Sequence, residues 1–233
     1  MSYPSLIESR ETTDDRGVKT GKWVYSVEGM FTEESLVKFK VLRNNVLVDV
    51  DIQQLLRELA VEAWPELGAP AIAGQPSPLA AAFAGVAFKG WPLKRGDVKA
   101  EARAAKEKDG SHYKGLRLMQ MKSNVTDKVQ PPALSYVGPD KKIKAVNRLV
   151  PSDMQAAKQL FVGGNYAVAE LNIRASIVSG MRYLTPYLNS IRYTREGAKF
   201  GAQGGALMSR FDGVVGGEAD HDPTAGMDQE IPF

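Results

Sequence analysis

The chain reads as a mainly β protein with one main helix, and three observations carry that reading. From Tyr113 onward, residues alternate between apolar and polar over several short runs. Two of those runs are long, Tyr166 to Val178 and Met181 to Thr194. Only one stretch, Asp51 to Trp64, carries a clear helical period.

Residues 1 to 21 are polar, with Asp14, Asp15, Gly17 and Gly21 as breakers, and read as a flexible arm leading into the domain. In Trp23 to Met30, Trp23, Tyr25 and Val27 point one way and Val24, Ser26 and Glu28 the other, as in a strand. Leu36 to Leu47 continues as a second extended segment or hairpin broken at Asn44-Asn45. Ile52, Leu55, Leu56, Leu59, Ala60 and Ala63 then recur at helical spacing, with Asp49 or Asp51 placed to cap the start and Pro65 to stop the end. Both Trp23 and Trp64 sit in apolar periodic patterns and are expected in the core. Residues 65 to 90 are rich in Ala, Gly and Pro and read as a long connection, with a helical turn open at Leu79 to Phe83. Val98 to Lys108 is either a short solvated helix or a loop.

Beyond Tyr113, Leu118 and Gln120 alternate with Arg117, Met119 and Met121, and Ala133 to Val137 and Lys142 to Val146 are short extended pieces. Tyr166 to Val178 has an apolar face of Ala167, Ala169, Leu171, Ile173, Ala175 and Ile177. The strand from Met181 to Thr194 is expected to break near Pro186. Short strands with a polar face, and one main helix, predict a small five-stranded Greek-key barrel of the OB type with long loop insertions over residues 1 to 211.

Residues 212 to 233 differ in kind. Asp212, Glu218, Asp220, Asp222, Asp228 and Glu230 have no Lys or Arg among them, and Gly213, Gly216, Gly217, Gly226 and Pro223 deny regular structure. That composition predicts a disordered acidic tail. Positions 1 to 211 hold 30 basic against 21 acidic residues, so a body of +9 carries a tail of −6. A basic body favours a polyanionic partner. The tail stops on Ile231-Pro232-Phe233, where a ring stands beside the terminal carboxylate. An apolar pocket next to an Arg or Lys could take both groups, with Asp228 and Glu230 adding charge.

Several classes of function are disfavoured. With no cysteine there is no disulfide, thiol nucleophile or Cys-held zinc. His112 and His221 lie far apart and bring no preorganised ligand set, so no metal or cofactor is expected. Asp49-x-Asp51 reads as a helix cap before it reads as a catalytic pair, and Gly163-Gly164 lacks the Lys-Ser/Thr of a phosphate loop. No enzyme site is expected. No apolar run approaches the ~20 residues of a membrane span, and a signal peptide is absent, so the expected location is the cytosol.

The tail resembles the acidic, Phe-terminated tip by which bacterial and phage single-stranded-DNA-binding proteins recruit replication, recombination and repair enzymes. Phe161-Val162-Gly163-Gly164-Asn165-Tyr166-Ala167-Val168-Ala169-Glu170-Leu171-Asn172, followed by Gly180 to Ile191, is similar to the C-terminal half of the OB-fold single-stranded-DNA-binding proteins of tailed bacteriophages. The likeness covers roughly the last half of the chain, and Phe31 to Asn45 departs from the pattern. It implies a protein that coats single-stranded DNA in the cytoplasm of a bacterial host during phage replication, recombination and repair. It also implies tail-recruited partners, with weaker duplex binding and a homo-oligomer left open.

Such binding needs cations that follow the phosphates and rings on which bases stack. The candidates are Trp91 and Lys94 in the long loop, Tyr113, Lys114 and Arg117 before one strand, Arg174 on another, and Arg182, Tyr183, Tyr187, Arg192 and Tyr193 on the last. Two other readings stand beside this one: a strand-annealing recombination protein, and an OB-fold adaptor that binds no nucleic acid.

Overall fold

A computed structural model describes residues 2–13, 18–83, 90–126 and 130–197, so the expected tail, Asp228, Glu230, Ile231, Pro232 and Phe233 included, lies outside the described residues. The N-terminal stretch is a strand of the sheet and not an arm. β1 (Ser2–Thr13) pairs antiparallel with β2 (Lys19–Phe31), and Leu6 enters the core at 1% exposure. Gly21 lies inside β2 at a φ of 71°, and Asp14, Asp15 and Gly17 lie outside the described residues.

A 3-10 turn over Glu33–Lys38 leads to the hairpin β3 (Phe39–Arg43) and β4 (Val46–Val50), which forms a separate two-stranded sheet. Asn44 and Asn45 both take positive φ, 51° and 62°, as the tight turn between twisted strands requires. Helix α1 (Ile52–Ala63) starts where the capping pattern places it, with Asp51 Oδ1 accepting from Gln53 N at 2.7 Å. It buries Ile52, Leu56 and Ala60, and the two larger side chains contribute about 1.5–3 kcal/mol each. Trp64 closes the helix at 8% exposure, and its ring leads into a row with Phe83 and Trp91 at centroid spacings of 6.1 and 5.0 Å. Phe83 ends α2 (Pro78–Phe83). Trp23 differs from expectation, for it stands 48% exposed. It lies at the far end of β2, beyond the last residue of that strand paired to its inner neighbour, where alternation continues but the core has ended.

β5 (Leu93–Arg95) and α3 (Gly96–Ala104) follow. Gly96 seats this helix, because a Cβ there would stand 1.9 Å from Tyr113 O. β6 (Arg117–Asn124) pairs with β2 along its length and with β5 at its start, while β7 (Ala133–Val137) pairs with β8 (Ile143–Ala145). The alternation does not stay β to the end, as the sequence suggests, since α4 (Pro151–Leu160) intervenes. Its marks are Pro151 in the first turn, Asp153 near its start, Lys158 near its end and a fully buried Ala157.

β9 (Tyr166–Val178) and β10 (Met181–Arg195) form a long hairpin, and β10 runs through Pro186 unbroken, opposite Ile173. On its other edge β10 passes from Gly90, whose carbonyl accepts from Leu184 N at 2.9 Å, to parallel pairing with β6 at Lys122 and then with β7 from Ala133 to Tyr136. Pro186 falls in the gap between those partners, where an N–H is not needed. Antiparallel β1-β2-β6, then β10 parallel to β6, with a helix ahead of the final hairpin, is the strand plan of an OB barrel, so the fold is mainly β and of that type.

Side chains join what the ladder leaves apart. Arg148 donates to the carbonyls of Leu6 and Ile7 in β1 and of Pro132 before β7, at 3.0, 3.3 and 3.0 Å. Asn165, 3% exposed, donates to Leu160 O and accepts from Gly197 N, tying the end of α4 to the exit of β10.

Candidate nucleic-acid interface

Met119, Met121, Leu184, Leu188 and Ile191 point into the core, so the alternate residues of β6 and β10 face outward. A bulge at Asn189 shifts β10 by one residue, which keeps Ser190 and Arg192 on the same outer side as Tyr183, Thr185 and Tyr187. One register row crosses five strands: Asn172 on β9, Tyr187 on β10, Lys122 on β6, Ser26 on β2 and Ser5 on β1. Arg174 sits beside that row with its guanidinium carbon 5.5 Å from the Tyr187 ring centre. The row is polar, carries an aromatic ring, and has lysine at its middle.

Lys122 is half-buried. Burial first, and the Lys22 ammonium second, push it below the usual lysine range. Among the described residues no carboxylate pairs with Lys122, Lys22, Lys94, Arg174 or Arg192, and all five belong to this outer side or its rim. Several cations elsewhere are engaged, although Lys40, Arg57, Lys106, Lys114, Lys141 and Lys142 also have no carboxylate partner among the described residues. Arg117 Nε meets Glu33 at 2.6 Å, Arg182 meets Glu66 at 2.7 Å, Arg95 meets Asp97 at 3.4 Å, and Lys99 binds Glu28.

The sequence candidates therefore divide. Arg174, Tyr183, Tyr187 and Arg192 share the outer face of the β9–β10 hairpin, and Lys94 lies outward on β5, opposite Leu118. Tyr193 falls on the other side of β10, packed against the core. Arg182 and Trp91 lie with the Trp64–Phe83 row, Arg182 standing 5.9 Å over Trp64 while bound to Glu66. Arg117 is held by Glu33, and Lys114 is exposed at the end of a short 3-10 turn. Tyr113 is completely buried against Ala100 and Leu118, with the Lys99 ammonium 4.2 Å from its ring centre, so no base reaches it in this fold.

Sequence reasoning did not single out Lys122, Lys22 or Ser26. A signal for Lys122 existed: Met119 and Met121 point inward, so Gln120, Lys122 and Asn124 must form the polar face of β6. What no single-strand pattern contains is that Lys122 stands next to Tyr187, because that contact depends on the parallel pairing of segments 65 residues apart.

No protein-family model and no curated protein matches the chain. Among solved structures it is similar to the single-stranded DNA-binding protein from bacteriophage Enc34 in complex with ssDNA, at 13% identity and a TM-score of 0.48, over 86% of this chain and 84% of that one. It is also similar to gp2.5, a single-stranded DNA binding protein encoded by bacteriophage T7, at 15% identity and a TM-score of 0.37, over 94% and 97% of the two chains.

Proposed function

We propose that the outer face of β9, β10, β6 and β2 binds single-stranded DNA as a coat protein does, by charge and stacking and without reading base sequence. One observation carries the reading: Lys122, Lys22, Arg174 and Arg192 stand on or beside the side that presents Tyr183 and Tyr187, none of the four has a carboxylate partner among the described residues, and the Arg174 guanidinium lies 5.5 Å from the Tyr187 ring centre. Lysines and arginines so placed can follow phosphates, and the Tyr187 ring, already under a guanidinium, offers a face for a base. The role extends to replication, recombination and repair of phage DNA, with residues 212 to 233 recruiting the enzymes of those processes through Ile231-Pro232-Phe233.

The test is a fluorescence titration of the full chain with oligo-dT and with duplex of equal length, each at several salt concentrations. Tight, salt-dependent binding to oligo-dT, weaker on duplex, is expected. Absence of binding to either at low salt overturns the proposal in favour of a protein-interaction role. Acceleration of complementary-strand pairing in the same samples would add the annealing activity.

A further inference from the structure

β9 pairs on one side with β10, and among the described residues no strand bonds its other edge over Tyr166–Val178. Thirteen residues of open edge form a template for another strand. The outward side chains along it are Tyr166, Val168, Glu170, Asn172, Arg174, Ser176 and Val178. Glu170 accepts from Ser190 Oγ and, at 3.5 Å, from Asn189 Nδ2, but has no cation, and Arg174 has no carboxylate, among the described residues.

We propose that this edge pairs with the same edge of a second copy, antiparallel about a two-fold axis at Asn172, to make a continuous sheet across a homodimer. A two-fold axis perpendicular to the sheet places residues equally spaced on either side of its centre opposite each other and on the same face. Centred on Glu170 or on Arg174 it would oppose like charges. Centred on Leu171 or Ile173 it leaves both charges facing neutral residues. Centred on Asn172 it sets Glu170 against Arg174 of the second copy, twice, and both charges acquire partners.

The same register serves the apolar residues. Val178 and Ile177, 55% and 60% exposed at the hairpin tip, come opposite Tyr166 and Ala167 of the second copy. On the core side Leu171 meets Ile173 and Ala169 meets Ala175. A partner strand of another protein would have to reproduce this charge order, whereas a second copy carries it already. The pairing engages Arg174 with a carboxylate, leaves Lys122, Lys22, Lys94 and Arg192 to the outer face, and would set two such faces side by side.

The chain has no cysteine, so a single introduced thiol reports the register. Asn172→Cys places two thiols directly opposite each other, at a Cα spacing of roughly 4.5–5.5 Å that suits a disulfide. Ser176→Cys places its two thiols about 27 Å apart along the strands. On mild oxidation of the full chain, N172C is expected to form a covalent dimer and S176C to stay uncrosslinked. By sedimentation velocity the unaltered chain is expected to dimerise, E170R and R174E each to weaken the dimer at least about tenfold, and E170R combined with R174E to restore it. A monomer at every accessible concentration overturns the proposal. So does a double exchange no better than either single one, or crosslinking of S176C as readily as N172C.

Discussion

Replacing Lys122 with methionine separates what the interface does from what the fold needs. The stem keeps its length and only the half-buried charge is lost. If Lys122 meets one phosphate, the slope of log affinity against log salt on single strands flattens by about 0.7. Between 50 and 200 mM salt this corresponds to a binding deficit about 2.6-fold larger at the lower concentration. The unbound protein should respond in the opposite sense. In the fold, burial and Lys22 disfavour the charged form, so the lysine pKa lies below 10.5 and the charge costs stability at neutral pH. That cost is fully present below the folded pKa and is relieved as pH rises through it toward the unfolded value. K122M should therefore melt at a higher temperature than the parent at pH 7, and the difference should narrow in alkaline solution. The assays are oligo-dT titration at four salt concentrations and thermal unfolding across pH, with K122R as the variant that retains charge. A K122M protein that binds with unchanged affinity and unchanged slope would refute the placement of phosphate beside Tyr187. A lower melting temperature would refute the account of the buried charge.

Tyr187→Ala should cost about 1–3 kcal/mol of oligo-dT binding with little change in salt slope, whereas Tyr113→Phe should leave binding intact. Tyr113→Ala should instead destabilise the fold by about 3–5 kcal/mol, read by denaturant unfolding, since the ring is wholly buried. Arg148→Met removes three charge-assisted bonds to backbone carbonyls and should cost roughly 2–4 kcal/mol by the same measurement, with increased protease cleavage of β1. Deleting residues 212 to 233 removes six acids tethered to a basic body, so oligo-dT binding should tighten at low salt and the gain should fade as salt rises. Deleting Phe233 alone should abolish capture of replication partners while leaving the titration unchanged.

Most strands were legible because their signal is local. Tyr166 to Val178 alternates without interruption, and Ala167, Ala169, Leu171 and Ile173 of its apolar set pack against the core in β9, while Ala175 and Ile177 are exposed toward the hairpin tip. The helix after Asp51 was legible for the same reason, with a 3.6-residue period and a side chain able to cap it. α4 escaped because Pro151-Ser152-Asp153 resembles a turn, and its buried stripe consists mainly of one alanine followed by Leu160 and Phe161. β1 escaped because its bulges break the alternation near Leu6 and Ile7, where the strand bends to let Arg148 reach its carbonyls.

The outer face proposed as the interface was half legible in the sequence, and the division has a physical cause. Ring-and-cation pairs two residues apart on one strand share a face, so pairing Tyr183 with Tyr187 needed only the alternation of β10. Arg182 and Tyr193 fall on the opposite side, the first by parity and the second because the Asn189 bulge inverts the phase between Tyr187 and Tyr193. A bulge is invisible to a count of two. Whether a cation is available is less local still: Arg117 and Arg182 look as competent as Arg174 until Glu33 and Glu66, 84 and 116 residues away in sequence, are seen to hold them. Composition therefore locates the charge, and only the long-range register decides which of it remains for a polyanion.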